Sequence, residues 1–172
     1  MPSALVRSPK IDARHACFKL AIRKSRIHRF GVYAIEPIPA QRKVIEYTGE
    51  RISNKEADRR YDDDNMKRHH TFLFTLDSKT CIDGSIRTGG GDASFINHSC
   101  DPNCEAVITG RKIFIHALHT IEPGTELAYD YQYERTGRGD AKLEKFYICK
   151  CGAPNCRGSI MKPAKKKRSR AR

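Results

Sequence analysis

Three cysteines within eight residues, Cys149-Lys150-Cys151-Gly152-Ala153-Pro154-Asn155-Cys156, constrain this chain more than any other local feature. A Cys-x-Cys pair with a third thiol beyond a Gly-containing turn has metal-ligand spacing. A structural zinc takes four ligands in a tetrahedron, so the segment is one ligand short. The 172 residues contain seven cysteines, an odd number better suited to metal binding in a reducing compartment than to a disulfide framework. Four could converge on a metal, leaving Cys17, Cys81 and Cys104 as small buried apolar residues. Free thiols or a redox pair are the competing reading of the cluster, and the spacing favours zinc.

The length fits one domain with appendages. No apolar run approaches the roughly 18 residues of a membrane span, and residues 1–10 lack the apolar stretch of a signal peptide. A soluble intracellular protein with no membrane partner is the expectation. The net charge of +13 is unevenly spread. Residues 1–30 hold eight Lys/Arg against Asp12 alone, residues 157–172 hold eight against none, and the middle is close to neutral. Cationic ends of this kind make nonspecific, salt-dependent contacts with DNA phosphates. The run from Lys165 to Arg172 reads equally as a nuclear address or a solvated tail.

Short β-branched and aromatic runs separated by turn residues predict a mostly β body with few short helices. Strands are expected over residues 31–36, 43–48, 72–76, 80–83, 105–109, 112–118 and 126–129, with turns at Pro37-Ile38-Pro39, Thr109-Gly110 and Glu122-Pro123-Gly124. Ser53-Asn54-Lys55-Glu56 is a capping-box pattern that starts a helix running through Arg59-Arg60. After Met161 the chain is basic and Pro-containing, with no fixed structure expected.

Two further motifs stand at intervals before the cysteine cluster: Asn97-His98-Ser99-Cys100-Asp101-Pro102-Asn103-Cys104 and Tyr129-Asp130-Tyr131. Taken singly, an Asn-His pair is ordinary loop and each tyrosine an ordinary packed strand residue. Taken together and in order with the cysteines, they resemble the SET-domain protein lysine methyltransferases. The resemblance runs from about Ser25 to about Ile160. It implies a β-clip-like fold of small sheets with a pseudoknot threaded by residues 97–104, plus a post-SET zinc segment. The corresponding divisions are a basic lead over 1–24, the SET domain over 25–133, the post-SET segment over 134–160 and a disordered basic tail over 161–172.

The resemblance also assigns roles. Cys100 in the threaded loop becomes the fourth ligand beside Cys149, Cys151 and Cys156, for one structural Zn2+. Tyr131 is the principal catalytic tyrosine. Tyr129 stands at the Phe/Tyr switch and leans toward low methylation states, and Tyr47 is a further channel wall. S-adenosylmethionine would be held by Arg29, Phe30 and Gly31 of an early loop and by Asn97 and His98, Asn97 through its side-chain amide and His98 largely through its backbone. Tyr47, Phe72 and Tyr131 would border the same space. In-line methyl transfer requires donor and amine to meet on one axis, and the amine, with a pKa of roughly 10.4, must lose its proton. An aromatic tube desolvates it and attracts a methylated ammonium.

Three positions depart from the family pattern. Arg29 replaces the first glycine of Gly-x-Gly, Phe72 stands where many relatives have tyrosine, and Ser94 where an arginine is common. The expected function is S-adenosylmethionine-dependent lysine methylation of a basic partner such as a histone tail or histone-like protein, in nuclear chromatin if eukaryotic or in the cytoplasm or nucleoid if bacterial. The acidic run Asp62-Asp63-Asp64 reads equally as a draw for such a peptide or as an ordinary solvated surface. The alternative is a catalytically silent, zinc-stabilised chromatin-binding module.

Overall fold

The computed structural model describes residues 11–61, 72–135 and 140–164. The acidic run Asp62 to Asp64 and the tail from Lys165 onward lie outside them.

Two strands, β1 (Leu20–Lys24) and β2 (Phe30–Ala34), form an antiparallel hairpin pairing Leu20 with Ala34 and Lys24 with Phe30. β1 lies in the expected basic lead, where Arg23 and Lys24 mask a strand of which only Ile22 is fully buried. β3 (Lys43–Tyr47) opens a five-stranded sheet, and β4 (Glu50–Ser53) a three-stranded one with β5 (Leu73–Thr75) and β6 (Thr80–Asp83) in the order β4-β6-β5. Between β4 and β5 runs the helix α1 (Asn54–Arg60). Ser53 caps it by accepting from the Glu56 N–H at 3.2 Å, as the sequence pattern predicts. The reciprocal half of the capping box is not made, because the Glu56 carboxylate is engaged by Arg59 and Arg60.

Two 3-10 turns, Ile86–Thr88 and Asp92–Phe95, lead into the short strand β7 (Asn97–His98). β8 (Cys104–Thr109) and β9 (Lys112–Ala117) then form a hairpin whose two-residue turn has positive φ at Gly110 and Arg111, the geometry that matches strand twist. In β9, Ile113, Ile115 and Ala117 are fully buried and alternate with Lys112, Phe114 and His116, the period-two pattern of a sheet with one face on the core.

β10 (Ala128–Tyr129) completes the large sheet, whose order is β3-β9-β8-β10-β7. β7 and β8 are consecutive in the chain, yet β10 lies between them, parallel to both. The connection over residues 99–103 therefore loops around a later strand, the threaded crossing the resemblance implies. Asn103 clamps it by donating to the Glu126 carbonyl at 2.8 Å and accepting from the Ala128 N–H at 2.9 Å.

The main core draws on all three sheets, with Val32, Val44, Ile82, Ile113, Ile115 and Leu127 among its buried members. A second small core, Tyr147, Cys149, Ile160 and Met161, packs around α2 (Asp140–Phe146) and the cysteine segment. Met161 is buried and Lys162 donates its N–H to the Tyr133 carbonyl at 2.9 Å, so the folded chain continues past residue 160. Cys81 and Cys104 are buried as expected. Cys17 is exposed, contrary to expectation: it sits at the sheet margin, where only its N–H is used, bonded to the Val44 carbonyl at 2.8 Å.

Candidate active site

Aromatic rings from three elements meet where the strands converge. Tyr129, on β10, lies 4.8 Å from the Tyr131 ring and 6.1 Å, nearly parallel, from Phe74 of β5. Phe74 in turn stands 5.4 Å from Tyr47 of β3. The result is a continuous wall, Tyr47-Phe74-Tyr129-Tyr131. Phe72, expected in this wall, enters through its backbone carbonyl, which accepts from the Tyr47 hydroxyl at 2.8 Å. The ring between Tyr47 and Tyr129 belongs to Phe74, two residues on. The period-two repeat of Phe72 and Phe74 was the available signal for it.

Burial pushes all three phenols above the ordinary tyrosine range, Tyr47 further through Tyr131 and Asp83, Tyr129 through Tyr131 and Tyr47, and Tyr131 through Glu126. They remain protonated at neutral pH and act as hydrogen-bond groups, not as anions. Tyr131 donates to the Ile96 carbonyl at 2.7 Å, which fixes its ring against the threaded segment.

Asn97 and His98 lie beneath this wall, 6% and 4% exposed. The Asn97 amide nitrogen donates to the Phe30 carbonyl at 2.9 Å and to Glu126 at 2.7 Å, joining the β1–β2 loop to the threaded segment. His98 is used through its side chain as well as its backbone. Its Nδ1 accepts from the Tyr131 N–H at 3.1 Å, which leaves Nε2 to carry the proton 3.4 Å from Cys100 Sγ. Burial lowers its pKa to about 4 despite Asp130, keeping the ring neutral. His98 thus bridges the tyrosine pair to the cysteine cluster, a role the motif gave no sign of.

Cys100, Cys149, Cys151 and Cys156 bring their sulfurs within 4.8 Å of one another. The Cys100 to Cys149 separation of 3.7 Å matches the roughly 3.8 Å edge of a tetrahedron with zinc–sulfur bonds of about 2.3 Å. Each sulfur accepts a backbone N–H at 3.4 to 3.5 Å, from Arg157, Cys151, Cys100 and Gly158 respectively. Such donors favour the thiolate. At Cys151 burial acts against ionisation, and the N–H groups of Cys100 and Ala153 together with the Cys149 and Cys156 thiols outweigh it, lowering the pKa to about 6, whereas at Cys100 and Cys149 burial wins and raises it. The donor set fits zinc. Arg157, directly after the last cysteine, also reaches back to Asp130 at 2.8 Å, tying the segment to the residue between the two tyrosines.

Arg29, exposed at the tip of the β1–β2 loop, has φ of 39°, in the left-handed region that disfavours side chains. Its place is that of the glycine expected in the family pattern. Arg29→Gly is expected to raise the unfolding free energy by about 0.5 to 1 kcal/mol after the greater unfolded-state entropy of glycine is offset, seen as a higher urea midpoint. A lower midpoint would show that the arginine stem stabilises the loop.

The sequence profile of the SET domain matches residues 29–132, from this loop through the tyrosine pair. The chain belongs to the SET-domain family. It is 42% identical over 147 residues to the histone-lysine N-methyltransferase, H3 lysine-4 specific, of Eremothecium gossypii, and equally to that of Saccharomyces cerevisiae. With the protein of the same name from Candida albicans the identity is 43% over 143 residues. Each alignment covers 80% of this chain but only 14%, 13% and 13% of those relatives. The SET domain is thus the shared part of much longer proteins. SET methyltransferases use S-adenosylmethionine, and among the described residues no helix is long and apolar enough to cross a membrane.

Proposed function

We propose that this SET domain transfers methyl groups from S-adenosylmethionine to a lysine of a histone or histone-like protein in chromatin. The supporting observation is the wall of buried Tyr47 and Tyr129 and half-buried Phe74 and Tyr131, joined through His98 and Asn97 to the start of β2 at Phe30 and Gly31. The cofactor supplies an electrophilic methyl on a sulfonium. The protein's part is to orient and desolvate: the rings strip water from a lysine stem, favour the uncharged amine and fix its line of approach, a class of effect worth up to about 7 to 11 kcal/mol. Tyr131 is assigned to the reacting end, Tyr129 to the limit on further methyl groups, and the four cysteines to a zinc that holds residues 149–156 over the cofactor side. The specificity in the yeast relatives' names makes lysine 4 of histone H3 the first candidate target. The basic ends are assigned to nucleic acid beside it.

The test is mass spectrometry of histone H3, and of an H3 variant carrying arginine in place of lysine 4, after incubation with zinc-loaded protein and the methyl donor, free and assembled with DNA. A methyl mark on wild-type H3 that is absent from the variant is the expected result. A loss on assembled H3 greater than on free H3 is expected when residues 165–172 are deleted. No mark on any lysine would overturn the enzymatic reading in favour of a silent binding module, which the retention of both the ring wall and the Asn97-His98 pair disfavours.

A further inference from the structure

Glu126 lies beside Gly31 of β2 and outside every motif named above. One of its oxygens, Oε1, accepts from Asn97 Nδ2 at 2.7 Å. The other accepts from the Ser25 hydroxyl at 3.0 Å and the Tyr33 hydroxyl at 2.8 Å. A single half-buried carboxylate therefore gathers donors from β2, from the loop preceding it and from β7. Gly31 is what allows this approach: a Cβ there would stand 2.1 Å from Glu126 Oε1 and 3.2 Å from Asn97 Nδ2.

This arrangement decides which way the Asn97 amide faces. Nδ2 is directed at three acceptors, the Phe30 carbonyl, the Glu126 carboxylate and, at 3.2 Å, the Ser25 hydroxyl oxygen; the reverse orientation would set Oδ1 against the first two, which have no proton to give, and is excluded by repulsion. Oδ1 makes no hydrogen bond among the described residues, and so is the atom left to receive a donor. A negative charge behind the amide polarises it, raising the electron density on Oδ1 and favouring a cationic donor over a neutral one. We propose that Glu126 is a positioning residue that acts through Asn97, holding its amide oxygen toward the α-ammonium group of the methyl donor. The proposal rests on the assignment of the cofactor to this site and extends it to a residue that need not touch the ligand.

The experiment is calorimetric titration of zinc-loaded protein with S-adenosylhomocysteine and with an analogue in which hydrogen replaces the α-amino group. For Glu126→Ala, affinity for the amino-bearing ligand is expected to fall at least about tenfold while that for the deaminated analogue changes less than about threefold. Glu126→Asp keeps the charge but withdraws it by one methylene, and should give the same discrimination at smaller amplitude, so a folding defect in the alanine variant does not decide the matter. Parallel losses for both ligands, or no loss in either variant, would overturn the role of Glu126 while leaving the cofactor site intact. Wild-type protein that binds neither ligand would overturn the cofactor site, and this proposal with it.

Discussion

Cys100→Ser is expected to weaken zinc binding by at least about 100-fold and to release the C-terminal segment while sparing the large sheet. Structural zinc contributes on the order of 10 to 16 kcal/mol to small metal-dependent folds, and the loss of one thiolate of four forfeits much of that. The effect should be local, because the two cores share only the half-buried Tyr131 among the described residues: the main one draws on all three sheets, and the smaller one is Tyr147, Cys149, Ile160 and Met161. Chelator competition measures the affinity, and amide hydrogen exchange locates the change. Protection should fall at Tyr133, Cys149, Ile160 and Lys162, whose N–H groups bond across the segment, and persist in β8 and β9. Undiminished protection at those four amides after complete removal of metal would show that the apolar contacts alone hold the segment.

Tyr131→Phe is expected to lower kcat by about 100-fold or more while moving the thermal midpoint little. The hydroxyl donates to the Ile96 carbonyl, and a single neutral hydrogen bond contributes about 1 kcal/mol to stability. A polar group aimed at the centre of charge change contributes far more to rate, typically about 100- to 1,000-fold per donor removed. The contrast between the two quantities is the diagnostic. Single-turnover transfer from labelled cofactor under saturating peptide, beside calorimetric unfolding, reads both. A fall in rate matched by a comparable fall in stability would make Tyr131 a packing residue of the wall, and an unchanged rate would move the reacting end elsewhere, with Tyr47 the next candidate.

Local chemistry made much of this fold legible. The Ser53 cap, the alternation in β9 and the turn after Thr109 each follow from a few neighbouring side chains, and each is where the sequence places it. The three-cysteine segment has metal-ligand spacing on its own, although the fourth cysteine that converges on it, Cys100, needed the resemblance. What stayed hidden was set by contacts distant in sequence. Phe74 is an unremarked aromatic until Tyr47 and Tyr129 come to either side of it. Glu126 reads as the first residue of a short strand after a turn until Gly31, far earlier in the chain, leaves room for its carboxylate. His98 looked like a backbone contact because nothing in Asn97-His98-Ser99 says that Cys100 and the Tyr131 amide will lie on opposite sides of its ring. Cys17 failed for the reverse reason: cysteine is usually buried, but a segment laid along a sheet margin has an open side.

The passage of β10 between β7 and β8 has a consequence for synthesis on the ribosome. While residues up to Thr109 have emerged and Ala128 has not, β7 and β8 lack the strand that separates them, and pairing them directly would shut the gap it must enter. Assembly of the centre must therefore wait for Tyr129 and Tyr131 to leave the exit tunnel, and Cys149, Cys151 and Cys156 follow only later. Stalled nascent chains ending before residue 128 should accordingly be protease-sensitive at residues 97–104, with protection arising in one step once the later strand is free.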